Sequence, residues 1–329
     1  MNLNNCPNIA TYEASYKCET HLYQAKKVMC SLSGGSDSDI MLDFIQRVLR
    51  ERVFDYDCEI HYVFFDTGIE FKATKEHLDE LEKKYNITIE RVKAKVPVPL
   101  GCKKYGLPFI SKFISEQIDR LQQHNFDFVN DGNKSFEELN AKYKGLKAAL
   151  MWWCNKKQSK RFNIEANPLL KEFMITDPPD FRISSKCCNG AKKNTSHDYE
   201  KEQQCDLKCL GLRKAEGGIR SSSIKSCFDE KECGKAAIYR PIWWFTDKDK
   251  EEYRKFFNVQ YSKCYTEYGL KRTGCAGCPF GSRFEQELEI VKKHEPLLYQ
   301  AINNIFGKSY DYMRKYKIFK RQNGKKSLI

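Results

Sequence analysis

From Lys27 onward the chain alternates short apolar runs with longer amphipathic stretches. Residues 28–32 and 60–65 read as strands, and residues 87–92 as a third. Between the first two, Ile40, Met41, Phe44, Ile45, Val48 and Leu49 recur at helical spacing on one face, and a charged helix is predicted over residues 72–85. Strands of this length separated by helices predict βαβ units and therefore a parallel sheet. Residues 1–24 are polar and weakly periodic, a lead-in whose Tyr12, Tyr16 and Tyr23 are placed to cover a sheet edge.

Beyond the third run, Pro97, Pro99, Gly101, Gly106 and Pro108 break the pattern before Ile114, Ile118 and Leu121 restore a helical one. Residues 125–160 read as a polar helical insertion ending in Leu150-Met151-Trp152-Trp153, a docking anchor. From Ser184 the chain turns rich in Cys, Gly and Lys as far as Cys278, which predicts loops wrapped around a site. Within that stretch Thr246-Asp247-Lys248-Asp249 has the hydroxyl and early acids of a helix start. The expected organisation is a lead-in over 1–24, an α/β domain over 25–185, a Cys-rich region over 186–285 and a basic helical tail over 286–329.

Charge and cysteine content narrow the chemistry. The net charge of +13 attracts polyanions, so nucleotide phosphates and nucleic acid are the expected partners. Near the C-terminus, Lys and Arg interleave with Tyr310, Tyr312, Tyr316 and Phe319; this suits base stacking, and equally a solvated helix whose aromatic side docks on the core. No run of eighteen apolar residues occurs, and residues 1–10 lack a basic start followed by an apolar stretch, so the expectation is a cytoplasmic protein with no membrane partner. Fifteen cysteines in such a compartment favour metal or cluster binding over disulfides. Cys6, Cys18, Cys30, Cys58, Cys102, Cys154 and Cys264 read as packing residues, and Cys205 with Cys209 and Cys227 with Cys233 as partly buried thiols or a separate zinc site.

The most informative segment is Ser33-Gly34-Gly35-Ser36-Asp37-Ser38, which follows the first strand and opens the first amphipathic helix. Paired glycines let the backbone approach an anion, and the free amides and dipole of a helix start favour negative charge. The segment lacks the Lys-Ser/Thr pair of a Walker loop and the third glycine of a dinucleotide fingerprint. A phosphate chain is expected on a different class of loop.

S-G-G-x-D-S after a strand resembles the pyrophosphate loop of N-type ATP pyrophosphatases and phosphoadenosine phosphosulfate (PAPS) reductases. Asp66-Thr67-Gly68-Ile69-Glu70 resembles the D-T-G-x-E segment of PAPS reductases. Lys186-Cys187-Cys188, Gly211-Leu212-Arg213-Lys214-Ala215-Glu216 with Arg220, Arg240-Pro241-Ile242-Trp243-Trp244 and Arg272-Thr273-Gly274-Cys275-Ala276-Gly277-Cys278-Pro279-Phe280 are similar to further landmarks of that family. The similarity extends to its phage-type members and to the sulfur-inserting enzyme of DNA phosphorothioation.

The resemblance implies a doubly wound, mainly parallel α/β fold of the adenine nucleotide alpha hydrolase type, with a Cys-rich, mostly helical C-terminal part. It implies nucleotide contacts, to ATP or PAPS, from Ser33, Gly34, Gly35, Ser36, Asp37, Ser38, Asp66, Thr67 and Gly68. Asp37 is a candidate for Mg²⁺, Arg213, Arg220 and Arg272 for a phosphate or sulfate clamp, and Asp37 and Arg220 are the catalytic candidates. Cys187, Cys188, Cys275 and Cys278 match the adjacent-pair-plus-CxxC arrangement that holds a 4Fe-4S cluster in the adenosine-phosphosulfate branch. Four thiolates also suit zinc, but adjacent cysteines converge on one tetrahedral ion only with strain, whereas a cubane offers separate irons.

Three departures separate the chain from the pattern. Ser36 stands where many relatives have Lys, Gly217-Gly218 follows Glu216, and no cysteine follows Cys278, whereas sulfonucleotide reductases carry a C-terminal E-C-G-x-H nucleophile. Glu232-Cys233-Gly234 is internal, is followed by Lys235 and reads as a chance echo. Three activities follow from the resemblance. One is adenylation of a substrate by ATP for iron-sulfur-dependent sulfur transfer, with nucleic acid a candidate acceptor and a sulfur-donor or electron-donor protein as partner. Another is reduction of PAPS or its adenosine analogue to sulfite. The last is non-catalytic nucleotide or nucleic-acid binding within a modification or defence complex.

Overall fold

A computed structural model describes residues 6–51, 57–217, 223–230, 235–281 and 283–324. The chain divides into two compact units, one built from Met1–Lys95 with Ala191–Ala276 and the other from Val96–Gly190 with Gly277–Ile329.

The first unit is built on a six-stranded sheet, β1 (Lys27–Leu32), β2 (Glu59–Asp66), β3 (Ile89–Lys93), β4 (Leu207–Leu210), β5 (Phe228–Asp229) and β6 (Ala237–Tyr239), in the order β3-β2-β1-β4-β6-β5. All neighbours are parallel except β5 and β6. This is the mainly parallel α/β sheet that the alternating pattern predicts. β1 is central, with Cys30 opposite Tyr62 of β2 on one side and Cys209 of β4 on the other. A central parallel strand is covered on both faces, so apolar residues occupy both faces of β1, at Val28, Met29, Cys30 and Leu32. Val28, Cys30 and Leu32 point into the larger core with Phe44, Ile45, Leu78 and Tyr253, whereas Met29 joins Val63, Tyr199 and Cys205 on the opposite face.

The helix Ser36–Arg50 forms because its apolar positions fall on one face and its charges complement its dipole, with Asp37 and Asp39 in the first turn and Arg47 and Arg50 in the last. Each large side chain it buries, such as Phe44, contributes roughly 2 kcal/mol. The helix Lys72–Tyr85 stops where Asn86 takes a left-handed conformation at φ 53°. Helix Asp247–Phe256 starts at the expected place, with Thr246 and Asp249 forming a reciprocal cap.

Two stretches differ from expectation. The lead-in contains a sixteen-residue helix, Ile9–Gln24, which Asn8 caps by accepting from Thr11 N and which buries Cys18 and Leu22. Its apolar stripe is too thin to stand out in the sequence. The Cys-rich stretch supplies β4, β5 and β6 as well as loops; these strands span two to four residues, too short for a periodicity to register.

The second unit is helical. Its longest element, Pro296–Asn323, buries Tyr310, Tyr312, Met313 and Tyr316. Tyr312 packs against Phe109, Phe173 and Phe181, and the hydroxyls of Tyr312 and Tyr316 donate to the carbonyls of Asp177 and Pro168. Of the two readings of the basic tail, these tyrosines follow the core-docking one. Trp152 and Trp153 on helix Lys147–Trp153 are fully buried, Trp153 donating to the carbonyl of Gly132 at 2.9 Å.

Candidate nucleotide site

Three of the distinctive segments in the first unit lie at the carboxyl ends of β1, β2 and β4, the edge at which parallel α/β sheets bind ligands. After β1, Gly34 takes φ +62°, and a Cβ there would lie 2.6 Å from Thr74 Cγ2. Gly35, the N-cap of helix Ser36–Arg50, has no side chain with which to cap it. Ser38 instead ties the loop to the first turn, its hydroxyl accepting from the amides of Ser33 (3.3 Å) and Gly35 (3.2 Å) and donating to the carbonyl of Gly35 (2.8 Å). Ser33 Oγ donates to Ser38 Oγ at 3.2 Å. The hydroxyl of Tyr265 accepts from the amides of Ser36 and Thr273, both at 3.1 Å. The turn is thus fixed before any ligand arrives.

After β2, Asp66 Oδ1 accepts from the amide of Gly68 at 2.8 Å and its other oxygen pairs with Lys75 at 3.2 Å. Thr67 is fully buried and donates to Glu70 at 2.7 Å. Burial raises the Glu70 carboxyl despite the opposing Thr67 hydrogen bond and the Lys192 charge.

After β4, Gly211 meets the loop directly, since a Cβ there would lie 2.8 Å from Ser38 Cα and 3.0 Å from the carbonyl of Asp37. Arg213, with 6% of its side chain exposed, pairs through Nε with Asp37 at 2.7 Å and through its terminal nitrogens with Asp247 at 2.9 Å and the carbonyl of Phe245 at 3.3 Å. Lys250 reaches the same Asp37 oxygen at 2.7 Å and donates to Ser36 Oγ at 2.7 Å. Burial pushes the Asp37 carboxyl up, but its hydrogen bond with Glu216 and the charges of Lys250 and Arg213 outweigh that and hold it below the ordinary range. Arg213 and Lys250 beside a helix start can serve an anion when they share it with Asp37, which they otherwise neutralise.

The structure brings together Ser33, Gly34, Gly35, Ser36, Asp37, Ser38 and Arg213. Asp66, Thr67 and Gly68 stand at the end of the adjacent strand. Arg272 is exposed beside Thr273. Arg220 and Cys233 lie outside the described residues. Arg240 is buried and pairs with Asp229 at 2.6 Å, a structural contact. Sequence reasoning missed Lys250 and Tyr265, which stand far from the loop in the chain and in no motif that marks them.

Of the four cysteines expected to hold a cluster, Cys275 belongs to the first unit, 3.6 Å from the Thr67 hydroxyl, whereas Cys187, Cys188 and Cys278 belong to the second. In the second unit the Cys187 thiol is raised first by its hydrogen bond with Cys102; a bond with Cys188 opposes this, while burial and the proximity of Cys278 add to it. Cys102 is thus both a buried packing residue and the immediate partner of Cys187, closeness that follows from Gly101, where a Cβ would lie 3.1 Å from Cys187 Cα. The donor set is soft thiol, the chemistry that iron-sulfur clusters and zinc require. Among the described residues no group of three or more His, Cys, Asp or Glu side chains is arranged to hold a metal ion.

Residues 27–171 match the phosphoadenosine phosphosulfate reductase domain. The matched span starts at β1 and contains both the glycine loop and the Asp66 segment. An uncharacterized protein of Methanocaldococcus jannaschii is 34% identical over 83 residues, which cover 25% of this chain and 16% of that protein. Three solved structures are similar. PAPS reductase from Candida auris in its phosphate complex has 15% identity, covering 75% of this chain and 80% of that one with a TM-score of 0.37. The U34-tRNA thiolase NcsA from Methanococcus maripaludis with its [4Fe-4S] cluster has 14% identity, 94% and 79% coverage and a TM-score of 0.40. The NH3-dependent NAD synthetase from Campylobacter jejuni has 13% identity, 92% and 94% coverage and a TM-score of 0.36. Among the described residues no helix is long and apolar enough to cross a membrane.

Proposed function

We propose that this chain is a PAPS-reductase-like pyrophosphate-loop enzyme that binds an adenine nucleotide and activates a substrate by adenylation for sulfur transfer. The observation that carries the reading is the fixed turn over residues 33–38, with its helix-start amides and with Arg213 and Lys250 alongside. A substrate oxygen attacks the α-phosphorus of ATP, the bond from that phosphorus to the bridging oxygen breaks, and pyrophosphate leaves with the electron pair. The amides of Gly34, Gly35 and Ser36 and the hydroxyls of Ser33 and Ser38 are the donors for the charge that pyrophosphate gains, the Gly35 and Ser36 amides exchanging Ser38 and Tyr265 oxygens for phosphate ones. Arg213 adds a cation, with Arg220 and Arg272 as further clamp residues, while Asp66, Thr67 and Gly68 border the nucleotide. Asp37 is the candidate ligand for a Mg²⁺ that travels with it. A reduced sulfur nucleophile then displaces AMP from the adenylated substrate, with a nucleic acid or nucleotide the candidate acceptor. Cys187, Cys188, Cys275 and Cys278 are the candidate ligands of a 4Fe-4S cluster, with zinc the alternative; when bound, the cluster would supply a place to hold sulfur.

A second reading, reduction of PAPS to sulfite, is supported by the domain match over residues 27–171. It requires an attacking thiol, and the sequence after Cys278 supplies none. Pyrophosphate release from ATP, compared with thiol-dependent sulfite release from PAPS, separates the two in anaerobic, reducing buffer. Adenylation predicts the first, and sulfite release without pyrophosphate would reverse the assignment. Iron and acid-labile sulfide assays on anaerobically purified protein test the cluster, and absence of both from well-folded protein would reject it.

A further inference from the structure

We infer that Lys250, on helix Asp247–Phe256, is the mobile phosphate-facing cation of the loop, held in reserve by Ser36 and Asp37 until a pyrophosphate group displaces it. The inference rests on the nucleotide reading above, which sets Lys250 beside the loop, and gives that residue a role of its own.

The two cations at the loop differ in their freedom to respond to an anion. Arg213 is gripped from three sides, by Asp37, Asp247 and the carbonyl of Phe245, and is nearly buried. Its guanidinium is a fixture. Lys250, 15% exposed, makes its hydrogen bond and ion pair among the described residues to the loop alone, to Ser36 Oγ and Asp37 Oδ1, each at 2.7 Å, and its nitrogen also lies 5.5 Å from the Tyr261 ring. An ammonium on a flexible four-carbon stem can move from those oxygens to a neighbouring phosphate oxygen with little rearrangement. Asp37 would keep its bond to Arg213 when Lys250 leaves, so no buried carboxylate is stranded by the exchange.

The geometry also explains how position 36 can be serine. The Ser36 hydroxyl accepts from the Lys250 nitrogen, so a lysine cation stands beside position 36 although its side chain starts elsewhere. Lys250 therefore brings, from more than two hundred residues away in sequence, a charge that the loop does not carry itself.

Isothermal titration with inorganic pyrophosphate, ATP and adenosine tests this. Lys250→Met should weaken pyrophosphate and ATP binding roughly ten- to hundredfold, the range for losing a charged hydrogen bond, while adenosine affinity and melting temperature stay within error of the parent protein. The double variant Ser36→Lys with Lys250→Met should recover most of the loss. Unchanged pyrophosphate affinity in Lys250→Met overturns the inference. So does an equal loss of adenosine binding, which marks a purely structural lysine, or failure of the serine replacement to rescue. Parent protein that binds neither ATP nor pyrophosphate refutes the nucleotide reading itself, and the role of Lys250 with it.

Discussion

At the residue scale, the site depends on contacts that a single methyl group would disturb. Gly34→Ala would place a Cβ 2.6 Å from Thr74 Cγ2 in a left-handed conformation, a combined cost of about 1–3 kcal/mol. The expected outcome is a lowered melting temperature together with lost nucleotide binding, and Thr74→Ser in the same chain should return part of the stability. Ser33→Ala combined with Asp37→Ala should abolish nucleotide binding in titration while leaving the far-ultraviolet circular dichroism spectrum unchanged. A buried pair just behind the loop adds a pH dependence. His77 is 2.9 Å from Asp39, and although burial alone would lower the imidazole, the hydrogen bond and charge of Asp39 raise it. A cation raised in the folded state contributes stability that is complete below the ordinary histidine value of about 6.5 and is lost as pH rises through the folded one. Denaturant titrations between pH 6 and pH 9 should show that loss, and His77→Gln should remove the slope.

At the element scale, the strand, the glycine turn and the helix after it are legible in sequence, because each is specified locally: an apolar run, a residue pair with no Cβ, and a face of Ile40, Phe44 and Ile45. The charged helix Lys72–Tyr85 is legible over its full length for the same reason. β4 and β6 are not, because they owe their existence to pairing and not to their own pattern; Lys208 and Cys209 become strand residues by lying beside Met29 and Cys30. Lys250 and Tyr265 were equally hidden, since their link to the loop is tertiary. Gly211 illustrates how such elements are fitted, its α-carbon facing the backbone of Asp37 and Ser38. Gly211→Ala forces β4 and the helix apart and should cost about 1–3 kcal/mol, read as a shift in the denaturation midpoint. Asp43, fully buried on helix Ser36–Arg50, accepts from Arg47, Tyr85 and Tyr253, tying together three helices. Asp43→Ala strands those donors and should destabilise the first unit by about 3 kcal/mol.

At the scale of the whole molecule, each unit is built from two separate stretches of chain, an arrangement that local sequence signals do not reveal. The second unit needs both of its segments, because Phe109 and Phe173 from the earlier one are covered by Tyr312 and Tyr316 from the later one. Deleting residues from 296 onward should therefore expose that aromatic surface, and limited proteolysis should cut within residues 96–190 far faster than in the full chain. Intact resistance there would mean that the earlier segment holds together by itself.

The pairing of Cys30 with Cys209 has a consequence for biosynthesis. One edge of β1 has to wait, as the polypeptide leaves the ribosome, until some 180 further residues have been made. During that interval an apolar ribbon with unsatisfied amides and carbonyls is open to wrong partners, and closing so long a loop is slow. Protection from hydrogen exchange at Met29 and Cys30 should consequently appear late in refolding, and a holdase chaperone should raise the yield more than lowered temperature does.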